Sequence, residues 1–81
     1  MARISLSNEL KPYTGGETQF AFDVSSVREL FDVLGEQYPD LRPYLEVGIA
    51  VAIDGEIYQD ALLQRIGGTS EVLLFTKIAG G

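Results

Sequence analysis

The hydrophobic pattern of this chain changes period in one place. Between Val27 and Tyr38 the apolar residues Val27, Leu30, Phe31, Leu34 and Tyr38 recur at three and four residues, the repeat of a helix with one buried stripe. On both sides the pattern belongs to strands. A single helix can cover one face of one sheet, so the spacing predicts a two-layer α+β domain. The helix has defined ends. Ser26-Val27-Arg28-Glu29 fits a capping box, with Ser25 or Ser26 as N-cap. Pro39 stops the helix near Tyr38.

The flanking segments alternate at period two. Arg3 to Ser7 places Ile4 and Leu6 on one face, and Thr18 to Val24 places Phe20, Phe22 and Val24 inward. The break between them holds Pro12 and Gly15-Gly16, so the two runs read as a hairpin with a long loop. Beyond the helix, Asp40 to Glu46 reads as a loop that contains Pro43. Val47 to Ile53 is a nearly continuous apolar run, the pattern of a deeply buried strand. Asp54-Gly55 is a type I′ hairpin signal, because that turn needs positive φ at both central positions. Glu56 to Tyr58 returns as a short strand. Ala61 to Ile66 reads as a turn of helix or a tight loop, with Leu62 and Leu63 favoured as core. Gly67-Gly68 breaks the chain, and Glu71 to Thr76 forms a last strand. The order is β-β-α-β-β-β.

Composition restricts the chemistry. Eighty-one residues make one domain. The sequence holds neither cysteine nor histidine. Disulfides, thiolate nucleophiles, soft metal sites and the commonest general base are therefore excluded. Gly15-Gly16 and Gly67-Gly68 lack the surroundings of a phosphate loop and read as turns. Asp54 and Glu56 could flank a cation, but a solvated hairpin tip is the simpler reading. Twelve acids stand against six scattered cations, a net charge of −6, which argues against nucleic acid and suits a basic protein partner. No apolar run reaches the ~20 residues that span a bilayer, and no signal peptide is visible. The expectation is a cytoplasmic protein, not a stand-alone enzyme, that binds no cofactor or metal itself.

One feature is not required by folding. Gly80-Gly81 follows directly on the last strand. Without Cβ atoms, such an end can thread a narrow slot and present an unhindered carboxylate. Residues 1–77 then form the domain and 78–81 a tail.

The segment Gly67-Gly68-Thr69-Ser70-Glu71-Val72-Leu73-Leu74-Phe75-Thr76-Lys77-Ile78-Ala79-Gly80-Gly81 resembles the C-terminus of the MoaD and ThiS sulfur carriers, and the likeness extends over the whole chain. Thr69-Ser70 stands where the family usually has Gly-Asp, and Lys77 where MoaD often has Pro. In length the chain is nearer MoaD, the small subunit of molybdopterin synthase. The resemblance implies a ubiquitin-like β-grasp, a mixed sheet of about five strands with the first and last strands parallel at its centre. It further implies that an E1-like adenylating enzyme of the MoeB/ThiF kind, using ATP and magnesium, activates the Gly81 carboxylate. A sulfur donor then converts it to a thiocarboxylate. A second enzyme, such as the molybdopterin synthase large subunit, consumes the sulfur. Gly81 is the reacting group, and Ala79 and Gly80 enter the partner. Phe75, Lys77 and Ile78 are candidate docking residues, with Phe75 equally readable as core. A carrier for thiamine thiazole or cysteine synthesis, a ubiquitin-like modifier, and a non-covalent adaptor with an incidental Gly-Gly remain alternatives.

Overall fold

The computed structural model describes residues 1–58 and 62–76, with Glu46 as backbone only. The expected tail at 78–81 lies outside the described residues. The strands are β1 (Ala2–Leu6), β2 (Gln19–Phe22), β3 (Ile49–Ile53), β4 (Glu56–Tyr58) and β5 (Glu71–Thr76). The helices are α1 (Val27–Gln37) and the short α2 (Arg42–Val47). One five-stranded sheet runs β2-β1-β5-β3-β4. β1 and β5 pair in parallel at its middle, and every other pairing is antiparallel. This is the β-grasp expected above.

Register explains the core. Ile4 faces Phe20 on β2 and Val72 on β5. Val51 faces Leu74 on β5 and Tyr58 on β4. These rows point to the helical side, where Val27, Leu30 and Leu34 of α1 are fully buried with them. Each such side chain contributes about 1.5–3 kcal/mol by leaving water.

The start of α1 accounts for its free N–H groups. The Ser26 Oγ accepts from the Glu29 N–H at 3.2 Å, and the Glu29 carboxylate accepts from the Ser25 N–H at 3.2 Å. The capping box is thus present, displaced by one residue on its return bond. The Val27 and Arg28 N–H groups donate to the carbonyls of Gln64 and Leu62 at 3.0 and 3.1 Å. The segment after β4 is therefore fastened to the helix N-terminus.

Three segments differ from the sequence expectation. Asp40 to Glu46 is not a loop: a 3₁₀ turn at Pro39–Leu41 runs into α2. Pro39 and Pro43 both sit in a first helical turn, where the missing N–H costs nothing, and Leu41 and Leu45, four apart, bury together. The third strand begins at Ile49, not Val47. Val47 closes α2 and is 80% exposed. The loop after β1 contains a 3₁₀ helix, Asn8–Tyr13, which buries Leu10. The Asp54-Gly55 turn is as expected, with φ of 49° and 90°.

Candidate functional site: the open sheet face and the end of β5

The central strand β5 carries the chain toward Gly80-Gly81, so its two faces and its end define the site. Along β5 the burial alternates. Val72 and Leu74 are buried under α1, whereas Leu73 is 41% exposed on the opposite, uncovered face. Phe75 shares that outer face with Leu73 and is half-buried. Of the expected docking residues, Phe75 alone is described. Lys77, Ile78, Ala79, Gly80 and Gly81 lie outside the described residues.

The outer face has its own order. Ala52 of β3 stands between Leu73 of β5 and Ile57 of β4 in direct register. The row Ile57–Ala52–Leu73 therefore crosses three adjacent strands. Ile57 is 65% exposed. One step toward the end of β5, Phe75 lies beside Ala50. Ser5 continues the row onto β1, where its hydroxyl donates to Gln19 at 3.1 Å. A groove of about 400 Å³ runs over Ser5, Gln19, Ala52 and Leu73. Arg3 and Glu71, 3.7 Å apart and both largely exposed, edge this face. The centre of the face is apolar and its margin polar, the anatomy of a protein interface.

Sequence reasoning named Phe75 and missed Leu73 and Ile57. The available signal was the run Val72-Leu73-Leu74-Phe75, apolar at both phases of a period-two strand. A strand of that kind at the middle of a sheet covered on one side must expose half of its apolar side chains.

The two ends of β5 are fixed. At its start the Asp54 carboxylate accepts from the Glu71 N–H at 2.9 Å, and the Asp54 N–H donates to the Glu71 carbonyl. Asp54 thus serves the turn. The Glu56 carboxylate accepts from the Tyr58 hydroxyl at 2.8 Å. Among the described residues no group of three or more acids is placed to hold a metal ion. The preceding turn closes through the Ser70 hydroxyl, which accepts from the Gly67 N–H at 2.9 Å. Ser70 thereby supplies the side-chain acceptor that an Asp could offer at this position. At the other end, the Ser7 N–H donates to the Leu74 carbonyl. The Glu9 carboxylate accepts from Ser7 Oγ at 2.6 Å and lies 3.5 Å from Thr76 Oγ1. The chain leaves the sheet beside one carboxylate and the half-buried Phe75.

Leu62 and Leu63 correct an expectation. They are not core but 48% and 87% exposed. The carbonyls of this turn cap α1, which fixes the backbone outside the core, and Ile66 is the residue that enters it. No helix among the described residues is long and apolar enough to cross a membrane.

The geometry has close counterparts. CysO of Amycolatopsis orientalis, solved in complex with BexX, superposes with a TM-score of 0.82 at 19% identity, covering 100% of each chain. The small archaeal modifier protein 1 of Haloferax volcanii gives 0.70 at 24% identity, over 99% of this chain and 98% of that one. A chain of the complex between subunits 1 and 2 of molybdopterin-converting factor from Helicobacter pylori gives 0.70 at 21% identity, over 99% and 97%. These likenesses establish the fold. No curated protein matches the sequence. The model of the ThiS family matches residues 4–81, from the first strand through the terminal glycines, and the chain belongs to the ThiS family.

Proposed function

We propose that this chain is a sulfur carrier whose reacting group is the carboxylate of Gly81, and that its acceptor pathway is molybdopterin synthesis. The observation that carries the reading is the family match, which extends to Gly81. The likeness to a chain of molybdopterin-converting factor supports the pathway.

A carboxylate resists nucleophilic attack because the attack adds charge to an anion. An E1-like adenylating enzyme removes that obstacle. The Gly81 carboxylate attacks the α-phosphate of magnesium-bound ATP, pyrophosphate leaves, and an acyl-adenylate forms. The terminal sulfur of a persulfide displaces AMP. A second thiol then cleaves the S–S bond and leaves the thiocarboxylate, which a sulfur-accepting enzyme such as the molybdopterin synthase large subunit consumes. This chain, which has no cysteine or histidine, offers only the acyl group and a handle; the partners supply acid, base and nucleophile.

The handle is the open sheet face. Ile57 and Leu73, joined by Phe75, Lys77 and Ile78, dock the partner. Burial of one such apolar side chain contributes about 1.5–3 kcal/mol. Residues 77–81, fully extended, reach at most about 17 Å, enough for Ala79 and Gly80 to deliver Gly81 into a recessed site.

The likeness to a small archaeal modifier protein supports a second reading, in which the same acyl-adenylate is passed to lysines of other proteins. Intact mass after incubation with the E1-like enzyme, ATP, magnesium and a sulfur donor separates the two. Exchange of one oxygen for sulfur is the expected result. Conjugates of high mass favour the modifier. An unmodified chain, with function retained after deletion of Gly81, overturns both.

A further inference from the structure

On the helical side, away from the open sheet face, a pocket of about 300 Å³ is lined by Arg28, Phe31, Asp32, Arg42, Leu45 and Leu62. Its floor is apolar: Leu45 is buried and Phe31 half-buried. Two of the six cations of an acidic chain meet here. Among the described residues the Arg3–Glu71 contact is the one ion pair, so neither Arg28 nor Arg42 is neutralised by a carboxylate of that set. Asp32 lines the same pocket and leaves it one net positive charge.

Both flanks of the pocket are held in place. Leu62, though 48% exposed, is fixed because its carbonyl accepts from the Arg28 N–H at 3.1 Å. Arg42 lies across α1 at Gly35. A Cβ at Gly35 would stand 3.2–3.3 Å from the Nε, Cζ and Nη2 of Arg42. Glycine inside a helix costs roughly 1 kcal/mol relative to alanine. At this site it gives the guanidinium a bed against the helix backbone.

We infer that this pocket is a second docking site, and that its occupant is an acidic segment of a partner protein that seats an apolar side chain on Phe31 and Leu45 beside a carboxylate on Arg28 and Arg42. Charge selects the occupant. The molecule as a whole repels acids, and this pocket pairs an apolar floor with two guanidinium groups suited to bidentate carboxylate binding. The exposed Leu62 extends the apolar surface beyond a single side chain, as contact with a peptide requires. The site is separate from the open face, so one partner can hold the carrier here while another docks on that face.

The test uses the full isotope-labelled chain and a synthetic peptide, acetyl-Glu-Leu-Phe-Glu-amide, followed by NMR. Saturable shifts are expected at residues 28–35, 42–45 and 62–64. Affinity should fall by about tenfold in Arg28→Gln and again in Arg42→Gln, the scale of a charged hydrogen bond. The acetyl-Gln-Leu-Phe-Gln-amide analogue should not bind. Gly35→Ala should leave the thermal midpoint unchanged or higher, yet weaken binding by displacing Arg42. Absence of saturable shifts, shifts centred on Leu73 and Ile57, or equal binding of the uncharged analogue would each overturn the inference. None of these outcomes bears on the chemistry of Gly81.

Discussion

Leu74 and Leu73 are neighbours on the central strand and have opposite fates. Leu74 is fully buried under α1, whereas Leu73 is 41% exposed beside Ala52 and Ile57. The sheet has an apolar row on each face, and one helix covers only one of them. The covered row holds the fold together. The uncovered row adds little to folding, and a domain that kept it only for stability would have no use for it. Phe75 stands between the two cases, half-buried on the open face beside the fully packed Ala50.

Stability should follow this order. Leu74→Ala should destabilise by about 2–5 kcal/mol, the cost of lost burial plus a cavity, read as a fall in the denaturant midpoint. Phe75→Ala should cost about 1–2 kcal/mol, in proportion to its partial burial. Leu73→Ala should change stability by less than about 1 kcal/mol. Function should run the other way. Leu73→Asp combined with Ile57→Asp should lower kcat/KM of adenylation by the E1-like enzyme tenfold or more, with a near-native midpoint. Equal destabilisation at Leu73 and Leu74 would break the contrast between the faces.

The smallest effect lies at the edge of the core, where the Tyr13 hydroxyl donates to the Tyr44 hydroxyl at 2.9 Å with ring centroids 4.5 Å apart. That hydrogen bond, followed by desolvation, raises the Tyr13 pKa above its usual 10.0. A raised pKa means that protonated Tyr13 favours the fold. The contribution is complete below the unfolded pKa and is lost as pH rises through the folded one. The stability difference between the wild type and Tyr13→Phe should therefore shrink only in alkaline solution.

Much of this was legible in the sequence, for local reasons. The helix carried its own capping box and stripe, and the Asp54-Gly55 turn admits few alternatives to a tight hairpin. The first two strands, β1 and β2, alternated cleanly. The parallel centre, β1 against β5, is a long-range pairing and came from the family resemblance. α2 was hidden because Pro39 and Pro43 resemble breakers until each is seen at a helix start. The start of β3 was hidden by Val47, whose apolar side chain continues the strand pattern while facing solvent. Leu62 and Leu63 misled because an apolar pair gives no sign that the carbonyls of Leu62 and Gln64, on either side of Leu63, are engaged in capping α1. The row Ile57–Ala52–Leu73 and the convergence of Arg28 with Arg42 join residues from separate elements, so no local pattern announces them.

The most direct measurement is fragment mass spectrometry of the chain after exposure to the E1-like enzyme, ATP, magnesium and a sulfur donor. The expected result is one sulfur in place of oxygen, confined to the fragment ending at Gly81, and its loss in Gly80→Val despite an unchanged fold. Sulfur found on any other fragment, or undiminished transfer with valine at position 80, would contradict it.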